Sequence, residues 1–338
     1  MMDINTIRVL SLDGGGMRGV ITARFLELFC AAAGINSGEL WKYFDIIAGT
    51  SIGGIQALGY GLGLAPSFVK GLLIENGSSI FDSYGLGQAG YVAWSGYLSG
   101  LSDSLYSAVP LRGLIEDTLG IGTRLRDMKT RVLIPSFKRV SGLGSVVNYP
   151  VYFSNISGDT FPFLVGGDEL AVNVALATSA APVYFPAATF NGVDRYVDGG
   201  IFMNNPSSLA LSVMRGLRPT ASRYCILSVG TGLGNIGYIP GQNLKGISDN
   251  LGTIKMVMDV AMSIPPEGVS KELEILGNQT LDNYYYYRMQ YPIPVDQNPD
   301  SSLDNSSDEF INYMQNSATD YFNSDIGNIT TFIGHLLA

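Results

Sequence analysis

One stretch constrains this chain more than any other: Ile46-Ile47-Ala48-Gly49-Thr50-Ser51-Ile52-Gly53-Gly54. Two β-branched residues end an expected strand. A turn of small residues follows, and then an apolar segment able to form a helix. Gly49-Thr50-Ser51-Ile52-Gly53 fits G-x-S-x-G, the sharp strand-to-helix turn that holds a serine hydroxyl above a sheet. Its glycines suit a strained turn with backbone packed close by. Alone, the pattern does not separate a nucleophile from an ordinary small-residue turn.

Composition narrows the class. The chain has 338 residues, 46% hydrophobic and only 14% charged, with 42 glycines. That is the make-up of a glycine-rich α/β enzyme with a large buried core. A net charge of −9 leaves no basic stripe to neutralise phosphates, which argues against a nucleic-acid partner and against simple electrostatic docking on anionic lipid. Cys30 and Cys225 sit in apolar surroundings and are expected as buried free thiols. No His/Cys cluster has metal-ligand spacing, so neither a metal nor another cofactor is expected. The start of the chain lacks a basic segment followed by an apolar run, which favours a cytoplasmic protein; export by a signal-independent route stays open. Three uncharged stretches, 46–69, 83–102 and 170–190, are broken by glycine or proline and are expected in the core rather than across a bilayer.

Thr6 to Leu12 is strand-like and runs into Asp13-Gly14-Gly15-Gly16-Met17-Arg18-Gly19, after which Val20, Ile21, Phe25, Leu28 and Phe29 fall at helical spacing. A glycine loop at a helix N-terminus directs backbone N–H groups at whatever lies above it. Three readings stand side by side: a dinucleotide fingerprint, G-x-G-x-x-G; an oxyanion hole for acyl chemistry; and a tight turn with no ligand. The dinucleotide reading wants an acidic residue at the end of a second strand about 20 positions on. Glu39 has the distance, but its surroundings read as loop and helix start.

Further on, residues 66–80 and 111–119 read as helices, 131–134 and 151–153 as short strands, and 170–181 as a buried helix. Tyr84 to Leu101, rich in glycine and tyrosine around Trp94, reads either as a cap or as an ordinary packed loop. Asn191-Gly192 suggests a hairpin turn. Asp198-Gly199-Gly200 puts a carboxylate at a strand end with nothing bulky beside it; a turn carboxylate satisfying local N–H groups is the plain alternative. Residues 224–229 and 281–291 read as strands. Met256, Met258 and Met262 are expected as core filler. Ser306-x-x-Glu309 reads as the capping box of a last helix. With no repeat or linker, 1–338 is expected as a single domain.

A serine hydroxyl needs a base to take its proton, most often His held by Asp. The one histidine, His335, is the fourth residue from the end, where chains tend to fray. If Ser51 acts, its base is therefore a carboxylate, and Asp198 is the best candidate. It needs burial and contact with the hydroxyl to be useful.

Taken in order, Asp13-Gly14-Gly15-Gly16-Met17-Arg18-Gly19, Gly49-Thr50-Ser51-Ile52-Gly53 and Asp198-Gly199-Gly200 resemble the three signature blocks of patatin-like phospholipases. The segments 177–186, 204–206 and 287–290 are also similar to family segments. The resemblance spans residues 6–320, with 82–106 as a variable cap-like insertion and 321–338 as a tail. It implies a three-layer α/β fold with a central, mostly parallel sheet flanked by helices. It implies a Ser51–Asp198 dyad and an oxyanion hole from Gly14, Gly15 and Gly16 aided by Ile52. Arg18, Gly19, Gly49, Gly53, Gly199 and Gly200 support the motifs, and Arg18 either holds the loop or attracts a lipid phosphate. The implied activity is metal-independent cleavage of fatty-acyl esters of phospholipids and neutral lipids, of the phospholipase A or lysophospholipase type, with peripheral membrane contact and regulation by an activating ligand or protein partner. A transacylase, or a low-turnover lipid-binding or storage protein, is the alternative.

Overall fold

In the computed structural model the first strand, β1 (Thr6–Leu12), is buried along its whole length. The structure describes residues 5–82, 104–142, 145–190, 192, 194–234, 260, 262–279, 283–293 and 301–338. β1 shares its side chains between two cores. Leu10 and Leu12 pack with Val20, Ile21 and Phe25, whereas Ile7 and Val9 pack with Leu211 and Met214 on the opposite face. A strand covered on both faces places apolar residues at positions of both parities.

Eight strands form one sheet. β2 (Ile46–Gly49) and β7 (Arg223–Val229) flank β1 in parallel, β3 (Arg131–Gly142) lies parallel beyond β2, and β8 (Tyr284–Met289) lies parallel beyond β7. β4 (Ser145–Ser154) runs antiparallel to β3, and the short β5 (Leu164–Val165) completes the order β5-β4-β3-β2-β1-β7-β8. β6 (Arg195–Asp198) pairs with β3 off this path.

Helices cover both faces, which makes the mostly parallel, three-layer α/β architecture. One face carries α1 (Gly19–Ala33), α2 (Ile52–Leu62), α3 (Pro66–Ile80), α4 (Ala108–Leu119) and α5 (Ala171–Ser179). After the one-turn α6 (Gly200–Met203) come α7 (Ser207–Leu217) and α8 (Pro265–Gln279), which cover the other face. α9 (Asp308–Ser324) and α10 (Ile326–Leu337) return to the first face. α3 opens with Pro66, whose missing N–H costs nothing in a first turn. α2 closes on Gly63 at φ 94°, a left-handed stop that lacks a Cβ penalty.

Several local expectations change. The strands expected at 131–134 and 151–153 are two arms of one long ladder that runs through Pro135. Pro135 is tolerated because β3 leaves β2 after Leu133 and takes up β6 only at Ser136, so no donor is missed between them. The cap of α9 is Ser307, whose Oγ accepts the Phe310 N–H at 3.3 Å, one residue beyond the expected Ser306. The 321–338 segment is not a frayed tail: α10 buries Ile329, Phe332 and Leu336, and the Arg8 and Arg223 side chains donate to the Leu336 and His335 carbonyls. Cys30 and Cys225 are buried free thiols. Met262 is buried in the main core. The expectations for 84–101, Asn191, Met256 and Met258 lie outside the described residues. No single helix among the described residues is long and apolar enough to cross a membrane.

Candidate active site

β2 and β6 lie end to end along one edge of β3. β2 runs parallel to β3 and its pairing stops at Ala48 opposite Leu133; β6 runs antiparallel and stops at Asp198 opposite Ser136. The two strand ends therefore point at each other across roughly 10 Å of β3. Ser51 follows the first end and Asp198 closes the second, so two blocks far apart in sequence meet because they share a third strand.

Ser51 adopts φ 56° and ψ −127°, a conformation that few residues other than glycine take up. Such strain costs about 1–3 kcal/mol and persists only where the surroundings enforce it. Here the Ser51 N–H donates to Thr178 Oγ1 at 3.0 Å, and that hydroxyl donates to the Pro135 carbonyl at 2.7 Å. The neighbouring Thr50 Oγ1 donates to the Met203 carbonyl at 2.7 Å. Gly53 lets the start of α2 press against the first loop: a Cβ there would stand 2.3 Å from the Leu12 carbonyl oxygen and 2.6 Å from that of Asp13. Gly49 is as tightly set, with its would-be Cβ 2.1 Å from the Gly53 carbonyl oxygen.

Asp198 is fully buried. Its Oδ1 accepts the Gly200 N–H at 2.7 Å, while Oδ2 has no well-formed hydrogen bond among the described residues. Burial pushes the carboxyl up to about 7, against the pull of the Ser51 side chain and the Gly200 N–H. The Ser51 side chain is thus near enough to the carboxyl to act on its titration. Gly199 and Gly200 keep the corner narrow: a Cβ would lie 2.4 Å from the Pro135 carbonyl oxygen at the first and 2.7 Å from Met262 Cε at the second.

The glycine loop stands over this pair. A Cβ on Gly14 would lie 2.8 Å from Ser51 Cβ. The Gly14 N–H is engaged, donating to Asn204 Oδ1 at 2.9 Å, so Gly14 is not a free oxyanion donor. Among the described residues the N–H groups of Gly15, Gly16 and Ile52 have no acceptor. Gly16 takes φ +56° with its Cα against the Leu303 carbonyl. Arg18 is buried, its guanidinium against Gly234, and is withdrawn from any lipid phosphate at the surface. Gly19 packs on Ile52, and its carbonyl accepts Gln56 Nε2 at 2.8 Å. Asp13 pairs with Arg288 at 2.6 Å, and Arg288 also holds Glu267 at 2.8 Å and Ser228 Oγ at 2.9 Å. Glu39, the residue a dinucleotide site would have used, lies in a 3-10 turn and pairs with Lys42.

A cleft lined by Ser51 and partly open to solvent runs between α2, α3 and α4. Leu64, Leu73, Ile80, Leu114 and Ile115 are among its walls. Its lining is almost wholly apolar apart from Ser51, Thr118 and Ser179, so it suits a hydrocarbon chain. His335 is elsewhere: its ring stacks on Tyr285 of β8, at the edge of the sheet.

The sequence profile described as patatin-like phospholipase matches residues 10–211, a span that holds all three blocks. The chain belongs to the patatin-like phospholipase family. As a patatin-like phospholipase it is a lipid hydrolase. It is 32% identical over 321 residues to a protein of Vibrio cholerae named cGAMP-activated phospholipase, covering 90% of this chain and 86% of that one. A protein of the same name from Escherichia coli is 29% identical over 329 residues, covering 91% and 86%. Human calcium-independent phospholipase A2-gamma is 26% identical over 322 residues, covering 91% of this patatin-like chain and 38% of the human one. Thr178, Asn204 and Arg288 lie in the segments 177–186, 204–206 and 287–290, but what each does at the site depends on partners from elsewhere in the chain: Ser51, Gly14 and Asp13.

Proposed function

We propose that this chain hydrolyses fatty-acyl esters of phospholipids through an acyl-Ser51 intermediate, with Asp198 as general base. The observation that carries the reading is the strained Ser51, which lines an apolar cleft, beside the buried Asp198 carboxyl on whose titration its side chain acts. The acyl chain lies in the cleft. Asp198 accepts the Ser51 proton as Oγ attacks the ester carbonyl, and the carbonyl oxygen takes up negative charge facing the Gly15, Gly16 and Ile52 N–H groups. The tetrahedral species collapses, the lipid alcohol leaves with the proton from Asp198, and the acyl group stays on Ser51. Asp198 then takes a proton from water as that water attacks the acyl-serine, and returns it to Ser51 Oγ as the fatty acid is released. Donors aimed at the developing oxyanion are the largest stabilising element in such reactions, one donor accounting for about 10²–10³ in rate.

The substrate surface is a membrane met from the cytoplasm. Ile201, Phe202 and Ile264 are exposed apolar side chains next to the Asp198 corner and would touch it first. For the activating ligand, the names of the Vibrio cholerae and Escherichia coli relatives make cGAMP the compound to test.

The experiment is mass spectrometry of products from mixed phospholipid vesicles, with and without cGAMP, using Ser51→Ala and Asp198→Asn as controls. Free fatty acid that disappears in both variants is the expected result. Full activity in folded Ser51→Ala ends the proposal. Acyl groups appearing on an added alcohol instead of in free acid assign a transacylase, and failure of a fluorophosphonate probe to label Ser51 in the native protein assigns a binding or storage role.

A further inference from the structure

Asn204 holds both polar groups of one glycine. Its Oδ1 accepts the Gly14 N–H at 2.9 Å, and its Nδ2 donates to the Gly14 carbonyl at 3.1 Å and to the Met262 carbonyl. Thr231 Oγ1, just past the end of β7, donates to the same Gly14 carbonyl at 3.0 Å. Both side chains are buried.

The Gly14 carbonyl and the Gly15 N–H belong to a single trans peptide unit, so they point in opposite directions. Two donors on the carbonyl therefore aim the Gly15 N–H away from Asn204 and Thr231, and that N–H has no acceptor among the described residues. Without such donors a Gly-Gly peptide can turn over at little steric cost, because neither residue has a Cβ to clash. A turned peptide would present a carbonyl oxygen where the oxyanion forms.

We propose that Asn204 and Thr231 are positioning residues that lock the Gly14–Gly15 peptide with its N–H facing the Ser51 reaction centre. The lock rests on the acyl-Ser51 reading given above. It also joins the three blocks. Asn204 follows α6, which starts beside Asp198, and the Met203 carbonyl in α6 accepts Thr50 Oγ1. One short segment thus sets the base, the turn that bears the nucleophile and the oxyanion donor in a common frame.

The test uses the full chain and a soluble short-chain p-nitrophenyl ester. Asn204→Asp keeps an acceptor for the Gly14 N–H and removes the donor to the Gly14 carbonyl; Thr231→Val removes the second donor. The expected loss is in kcat, about 10²-fold for Asn204→Asp and about tenfold for Thr231→Val, with KM little changed. Thr231→Ser, which keeps the hydroxyl, recovers kcat relative to Thr231→Val. Where Asn204→Asp does not fold, the two Thr231 variants decide. An unimpaired kcat in folded Asn204→Asp and Thr231→Val overturns the lock, as does a rise in KM at constant kcat. Ser51→Ala is run beside them. Its activity would sink the acyl-enzyme reading itself, whereas an inactive Ser51→Ala beside unimpaired lock variants would sink the lock alone.

Discussion

Asp13 and Arg288, 275 residues apart, form an ion pair of 2.6 Å from which solvent is almost excluded. Asp13 opens the glycine loop and Arg288 stands on β8, so the pair ties the loop to a strand two places away in the sheet. Burial pushes the Asp13 carboxyl up to about 6 even with the guanidinium beside it, and the carboxylate in turn raises Arg288 above its usual range. Arg288→Met removes the compensating charge and is expected to destabilise the fold by about 3–5 kcal/mol at pH 8. The folded carboxyl holds its proton more tightly than the unfolded one, so the loss shrinks as pH falls and Asp13 becomes neutral. Urea unfolding of both proteins at pH 8 and pH 5 checks this; equal losses at the two values would contradict it.

On the proposed mechanism, Asp198 makes activity pH-dependent. Only its ionised form could accept the Ser51 proton in that mechanism, and burial raises its carboxyl to about 7. kcat/KM for a soluble ester is expected to climb about tenfold per pH unit below 7 and to level above it. A profile flat from pH 5 to 8 would remove Asp198 as the base.

The same shift bears on stability. A carboxyl whose folded pKa lies above its unfolded value of 3.8 gives stability that is lost as pH rises toward about 7. Asp198→Asn, expected to be inactive but still able to accept the Gly200 N–H, is therefore expected to melt above the wild type at pH 8. The difference should vanish near pH 4. Melting temperatures at the two pH values test this, and a variant less stable than wild type at pH 8 would oppose it.

Two glycines should respond in opposite ways. Gly53→Ala puts a Cβ 2.3 Å from the Leu12 carbonyl oxygen and forces α2 away from the glycine loop. A loss of about 1–3 kcal/mol is expected, together with most of the activity. Gly113, inside α4, has open space around its would-be Cβ, so Gly113→Ala should add about 0.5–1 kcal/mol. Chemical denaturation of both variants separates a packing requirement from a helix-propensity defect.

If the cleft holds the acyl chain as proposed, it sets chain length. Leu114 lines it from α4. Each methylene buried there contributes about 0.8 kcal/mol. Leu114→Trp, which fills part of the cleft, is expected to lower kcat/KM for long-chain p-nitrophenyl esters at least tenfold relative to the butyrate. An unchanged ratio would place the acyl chain elsewhere.

Much of the molecule is legible in the sequence because its signals are local. The strand-turn-helix at residues 46–62 follows from two β-branched residues, small turn residues and an apolar run, and α3 starts where Pro66 requires it. The ladder through Pro135 is not legible, because a proline normally ends a strand and only the gap between β2 and β6 excuses it. The packed α10 is missed for a similar reason: its hold depends on Arg8 and Arg223, which lie far away in the chain.

The sequence by itself determined the α/β class, the glycine loop, the Ser51 turn and the glycine-flanked Asp198, since each is written in adjacent residues. Only the tertiary structure decided that β3 brings Ser51 and Asp198 together, that Asn204 occupies the Gly14 N–H, and that Arg18 is buried. Those facts depend on which strands share an edge and which side chains fill the space between them, and hydrogen bonds across such distances leave no periodic mark on the chain that makes them.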